Sequence, residues 1–288
     1  MRGERYLELS SRRFGKDDTS QKVCDQSFWR IAMSETENEI RNTISAPVSD
    51  EDLEPLVLTD RDMSLFRYAH EHRYLAYSQI RESFWKERSL DAKACYKRVE
   101  RLVNAGYLKR GYSGRQMLDV YFATPMSYAL LKERKMDSGV ELYEVTESFD
   151  RHIDHDLHVT NLRILFRDLG FNHWESERIL RRRNHRMGPR PDGVIHLGGD
   201  KRIAIEFENR NLSKSRKRYQ GMMNYYWTHK LYPLLFIVIK GNIKDWLVGA
   251  LDYDIKQVWM TTYKELMNER EEAVFENKAA SFKLKKIL

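Results

Sequence analysis

Apolar residues recur at helical spacing over three short stretches between residues 58 and 104, then give way to the two-residue alternation of strands. Leu58-Thr59-Asp60-Arg61-Asp62 predicts a helix start, with Thr59 as N-cap, Asp62 three residues on and Leu58 as a staple; Met63, Phe66 and Ala69 then fall on one face. Ser78 is expected to cap a second helix carrying Ile80 and Phe84. A third helix is predicted over 91–104, with Ala92, Cys95, Val99 and Leu102 turned inward and Lys93, Lys97 and Arg101 stacked on the outer face at i, i+4 and i+8. Two strand-like runs, 107–110 and 117–122, flank the glycine-bearing, basic loop 111–115, which contains Arg115. Thr124-Pro125 opens a further helix through residue 132.

The second half changes period. A helix over 151–169 is followed by strands over 171–177, 193–197 and 202–208, a helix over 213–229, a strand over 234–240, a strand over 246–251 and a strand–helix unit over 258–270. Strands with flanking helices at this spacing imply an α/β layer around a mixed sheet. The first 55 residues are polar, with one expected helix over 21–44 and an acidic, proline-bearing linker over 45–55. The organisation read from the pattern is therefore a polar arm and linker (1–55), a winged helix-turn-helix domain (56–140), an α/β domain (150–275) and a basic tail (276–288). The fold class is α+β.

Charge changes the picture in one respect. The 288 residues carry 50 Lys and Arg against 43 Asp and Glu, a net charge of +7. That balance favours a polyanionic partner, although by itself it speaks to solubility and loose association rather than to a task. Cations on both the third helix and the hairpin loop stand where a winged helix-turn-helix would meet the groove and the neighbouring backbone of DNA; the plainer reading is a solvated charged face or a protein-binding winged domain. No apolar run reaches the 18 residues that would suggest a membrane span, and the first 20 residues lack the apolar core of a secretory signal. Cys24 and Cys95, the two cysteines, cannot form a four-cysteine zinc site or a disulfide framework, so a reducing, cytoplasmic setting is expected.

The candidate chemistry lies in the second half. Asp192 follows Pro191 at the start of one predicted strand, and the next reads Ile203-Ala204-Ile205-Glu206-Phe207-Glu208. Alternation turns Ile203, Ile205 and Phe207 to one face and Ala204, Glu206 and Glu208 to the other. At about 6–7 Å and an effective dielectric of about 20, each pair of carboxylates on neighbouring strands would cost about 2–3 kcal/mol. Such a cluster either retains protons or takes up a divalent cation, and oxygen ligands suit Mg²⁺ or Mn²⁺ better than zinc. The ordinary alternatives are a turn acid at Asp192 and a solvated strand end at Glu208. Glu177 is a candidate to complete the cluster from the preceding strand, and Lys214 to supply a cation from the following helix. Six arginines between 178 and 190, among them Arg181, Arg182 and Arg183, could clamp a phosphodiester backbone or simply be solvated. His152, His155 and His158, at i, i+3 and i+6, do not converge on one point and are set aside as metal ligands. Tyr225, Tyr226 and Trp227 are read as core.

Pro191-Asp192 and Glu206-Phe207-Glu208 resemble the PD-(D/E)XK nuclease superfamily, in which the Asp and the first acid of the second motif bind metal and a Lys helps position the attacking water. Here Glu208 stands at the Lys position. The longer string Trp174-Glu175-Ser176-Glu177, Arg190 to Gly193, Ala204 to Glu208, Ser213-Lys214-Ser215 and Arg218-Tyr219 resembles the replication-relaxation family of plasmids and mobile elements, over roughly residues 56–265. That family also joins a winged helix to such a domain. The resemblance implies a metal-dependent DNA endonuclease or nickase acting in replication or mobilisation of a plasmid, phage or mobile element. Asp192 and Glu206 would hold Mg²⁺ (or Mn²⁺), with Glu208, Lys214 or Glu177 acting on water, and Lys93, Lys97, Arg101, Arg115 and Arg181–Arg183 would meet DNA. The alternative is a DNA-binding initiator or regulator that keeps the nuclease-like fold without catalysis. Expected partners are double-stranded DNA and either a second copy of the chain or a replication or mobilisation protein, with no membrane.

Overall fold

The computed structural model describes residues 56–86, 92–183, 188–209, 216–228, 233–250 and 257–287. The expectations for residues 1–55 and for Lys214 lie outside them.

Helix α1 (Asp60–Glu71) starts where the sequence places it. The Thr59 amide donates to Asp62 Oδ2 at 2.7 Å and the Thr59 hydroxyl accepts from the Asp62 amide, a reciprocal cap that satisfies two otherwise orphaned donors. Asp62 is fully buried, and burial alone would raise its proton affinity. Hydrogen bonds from Arg98 (3.0 Å to Oδ1) and Thr59 outweigh that and hold the carboxyl below the usual range. Strand β1 (Leu75–Ala76) leads directly into α2 (Tyr77–Phe84). Ser78 does not cap α2. Ala76 is the N-cap, and its amide is held by Gln79 Oε1 at 3.0 Å, a side chain long enough to reach back one turn.

Helix α3 (Ala92–Asn104) buries Cys95, Val99 and Leu102 completely and leaves Lys93 and Lys97 exposed, with Arg101 intermediate. The hairpin β2 (Leu108–Ser113) and β3 (Leu118–Ala123) is longer than the pattern predicts. Gly111, Tyr112 and Ser113 continue the ladder opposite Val120, Asp119 and Leu118, which confines the turn to residues 114–117. Gly111 allows this, because a Cβ there would sit 2.8 Å from the Phe122 ring. β1 pairs with β3, giving a three-stranded sheet in the order β1-β3-β2. Pro125 opens α4 (Pro125–Glu133), capped by Thr124.

A 3₁₀ turn (Glu147–Arg151) precedes α5 (Ile153–Asp168), β4 (Trp174–Ser176), α6 (Glu177–Arg183), β5 (Gly193–Gly198) and β6 (Lys201–Glu208). Then follow α7 (Arg216–Thr228), β7 (Leu234–Val238), α8 (Gly241–Ala250), β8 (Val258–Thr262), α9 (Tyr263–Glu269), β9 (Val274–Glu276) and β10 (Ser281–Lys283). The strands form one mixed sheet in the order β10-β9-β8-β7-β6-β5-β4. β6, β7 and β8 run parallel, and antiparallel strands flank them on both sides.

Two sequence expectations are corrected by this topology. Residues 246–251 were expected as a strand, but 246–250 lie in α8. Parallel β7 and β8 need a crossover that carries the chain back along the sheet, and Ile243 and Leu247, four residues apart, seat α8 against it. Residues 276–287 are no tail: β10 pairs with β9, and Leu284 beyond it is fully buried.

Ile203, Ile205 and Phe207 join Leu162, Leu165 and Phe166 of α5 in one core. On the opposite face Ala204 joins Tyr219, Met222, Met223 and Tyr226 of α7. The described residues from 56 onwards belong to one compact unit. Tyr74, Ala76, Val120 and Phe122 share a core with Ile153 and Leu157 of α5, and Arg163 of α5 binds the fully buried carboxylate of Glu71 at 2.7 Å. The protein is thus of the α+β class with a mixed sheet, its two halves joined through α5. No helix among the described residues is long and apolar enough to cross a membrane.

Candidate active site

The pairing of β5 with β6 places the acids. Gly193 lies opposite Ile205 at the start of β5, and Asp192 immediately precedes it, near enough to Glu206 for the two charges to oppose each other. Gly193 itself is required by close approach, since a Cβ there would fall 2.0 Å from the Trp174 ring.

Each oxygen of Asp192 is held. Oδ2 accepts the Phe207 amide at 2.8 Å, and Oδ1 lies 3.2 Å from Nε2 of His155 on α5. The other ring nitrogen of His155 lies 3.5 Å from Asp156 Oδ1. Burial alone would lower its proton affinity, but Asp192 and Asp156 outweigh burial and push the imidazole up to about 11. His155 thus sits between two carboxyl groups that favour its charged form.

Glu206 keeps some surface exposure as a residue, yet burial is the largest influence on its carboxyl. Burial and the adjacent Asp192 raise its proton affinity well above the ordinary range, against the opposing effects of Tyr226 and His155. The Tyr226 hydroxyl donates to Glu206 Oε2 at 3.1 Å. Glu208 is buried, and the Tyr219 hydroxyl donates to its Oε2. Both tyrosines lie on α7, two helical turns apart. The helix runs back along β6, so the earlier tyrosine meets the later acid.

Glu177 was expected on a strand and is instead the first residue of α6; its amide donates to the Asp192 carbonyl at 3.2 Å. Its carboxylate lies 2.6 Å from Arg181 and 3.7 Å from Arg73. Asp192, Glu177, His155, Asp156, Arg73 and Ser176 line an open recess between the two halves. The structure thus brings Asp192 and Glu177 together at the recess, whereas Glu206 and Glu208 each meet a tyrosine of α7.

The basic residues are dispersed. Arg181 and Arg183 are exposed and pair with Glu177 and Glu175; Arg182 is exposed, with its guanidinium against Gly139. Arg178 is drawn inward, donating to the carbonyls of His70 and Glu141 (2.6 Å to the latter), so α6 is fastened to the first half. Arg115 in the hairpin turn pairs with Asp154 at 3.2 Å. The sequence pattern sets His155 aside as a metal ligand and gives no role to Arg73 or to the Glu206–Tyr226 pair. The i, i+7 tyrosines on α7 are a signal that could have pointed to the last; His155 and Arg73 become relevant only through tertiary contacts.

Among the described residues, no three His, Cys, Asp or Glu side chains are arranged to hold a metal ion. What the site offers is a pair, Asp192 and Glu206, whose mutual repulsion a divalent cation would relieve. Mg²⁺ is commonly held by one or two carboxylates and completes its shell with water, so Asp192 and Glu206 are the side chains that would hold it. No known family, curated protein or solved structure matches the chain.

Proposed function

We propose that the protein is a DNA-binding, metal-dependent endonuclease or nickase, a nuclease of the PD-(D/E)XK kind joined to a winged helix. The observation that carries this reading is Glu206: a carboxyl near Asp192, bonded by Tyr226 and driven toward its protonated form, which costs stability when ionised unless a cation enters. Asp192 and Glu206 would hold Mg²⁺ or Mn²⁺, which polarises a phosphate and stabilises the leaving oxygen when bound. The chain's own residues prepare the place. The Phe207 amide and His155 fix Asp192, Tyr226 orients Glu206, and Glu177 flanks the recess. The sequence β1, α2, α3 and the β2–β3 hairpin supports the winged-helix reading, with exposed Lys93 and Lys97 on α3 as phosphate contacts.

A second reading has its own support. Glu208, at the position of the superfamily's Lys, is buried against Tyr219, and His155 already balances Asp192. On that reading the fold is a DNA-binding platform without turnover, as in an initiator or regulator. Incubation of supercoiled plasmid with the protein and Mg²⁺ or Mn²⁺ separates them. Conversion to nicked or linear DNA, lost with Asp192→Asn, is expected; plasmid intact with both ions, while duplex binding persists, would leave the platform reading standing.

A further inference from the structure

We propose that Arg73, which belongs to the first half of the chain, is a positioning residue for the acidic centre in the second half, acting through Asp156 and His155 on Asp192. The inference rests on the nuclease reading above and adds a residue outside the nuclease-like segment.

The chain of contacts is continuous. Arg73 Nη1 lies 2.7 Å from Asp156 Oδ2, and the Tyr74 hydroxyl donates to the same oxygen at 2.8 Å. The other Asp156 oxygen lies 3.5 Å from His155 Nδ1, and His155 Nε2 lies 3.2 Å from Asp192 Oδ1. Both ring nitrogens of His155 thus face carboxylate oxygens, which accept hydrogen bonds and cannot donate them when ionised. The ring is held from both sides, with no freedom to rotate without losing one partner. Removing the guanidinium leaves Asp156 to Tyr74 and His155 alone, and His155 is then drawn from Asp192 toward Asp156.

One further observation sets Arg73 apart from an incidental surface pair. Its second nitrogen, Nη2, points to Glu177 at 3.7 Å, so one side chain reaches two acids of the recess. The turn carrying Arg73 connects α1 to β1, on the half that carries the cations expected to meet DNA.

The test is a double-mutant cycle in the full-length protein. Outer partners that orient ligands typically contribute about 10–100-fold to activity or metal affinity. We expect Arg73→Gln to lower kcat about tenfold with KM and duplex affinity unchanged, and His155→Gln to lower it at least as much. The double variant should be no slower than His155→Gln alone. Arg73→Lys, which keeps the charge opposite Asp156, should recover most of the loss, a rescue that a simple packing role would not give. The second readout needs no turnover: Mn²⁺ binding followed by electron paramagnetic resonance without DNA should weaken about tenfold in Arg73→Gln, with the double variant matching His155→Gln. Asp156→Asn cuts the same chain one link on, and replaces Arg73→Gln should that variant not fold. Multiplicative effects in the cycle, or a rise in KM with kcat unchanged, would overturn the relay while leaving the nuclease reading intact. A wild type that neither cleaves DNA nor binds Mn²⁺ would overturn both.

Discussion

At the scale of single residues, Glu206 is the most informative side chain. A carboxyl whose folded-state proton affinity is raised favours the fold in its neutral form. That advantage is full below the ordinary carboxylate range, near pH 4, and is lost as pH rises through the raised value. His155, pushed up to about 11, keeps its charge across this window, so the difference belongs to the carboxyl. In metal-free buffer the wild type should therefore lose stability relative to Glu206→Gln as pH rises from the ordinary carboxylate range through the raised value. Urea melts across that rise measure this, and parallel losses in both proteins would contradict it. Strand alternation made the shared face of Glu206 and Glu208 legible in the sequence, and the two cores confirm the faces. It could not show that α7 would bring a tyrosine to each acid. Nor could it show that His155, from a helix closed some thirty residues before β6 begins, would meet Asp192.

At the scale of elements, local signals were readable where local physics decides. The Thr59–Asp62 cap, Thr124-Pro125 and the alternation of β6 are all short-range, and each element lies where they place it. Residues 246–250 failed because a short apolar run fits a buried strand as well as a crossover helix; the parallel pairing of β7 and β8 decides between them. The hairpin turn was read too wide because a glycine inside a strand looks like a loop until its cross-strand ring is known. Helix α3 offers a test of its own. Cys95, Val99 and Leu102 bury one side, which leaves Lys93 and Lys97 outward with no structural task assigned by burial. If these two meet phosphates, replacing both with Ala should weaken duplex binding and reduce the slope of log affinity against log salt by about two. An unchanged slope would remove α3 from the proposed interface.

At the scale of the whole molecule, the two halves are less separate than their sequences suggest. Tyr74 and Phe122 share a core with Ile153 and Leu157, Glu71 is neutralised by Arg163, and Arg178 fastens α6 to the first half. The acidic recess lies along this seam, which is why no reading of either half alone could complete it. The central claim is that Asp192 and Glu206 form a divalent-cation site, and a melting curve tests it most directly. Binding to the folded state alone stabilises by about 2.7 kcal/mol at a hundredfold excess over the dissociation constant. Mg²⁺ or Mn²⁺ should raise the melting temperature of the wild type by several degrees and leave Glu206→Gln almost unmoved. Melting temperatures that stay fixed for both proteins with both ions would contradict the claim.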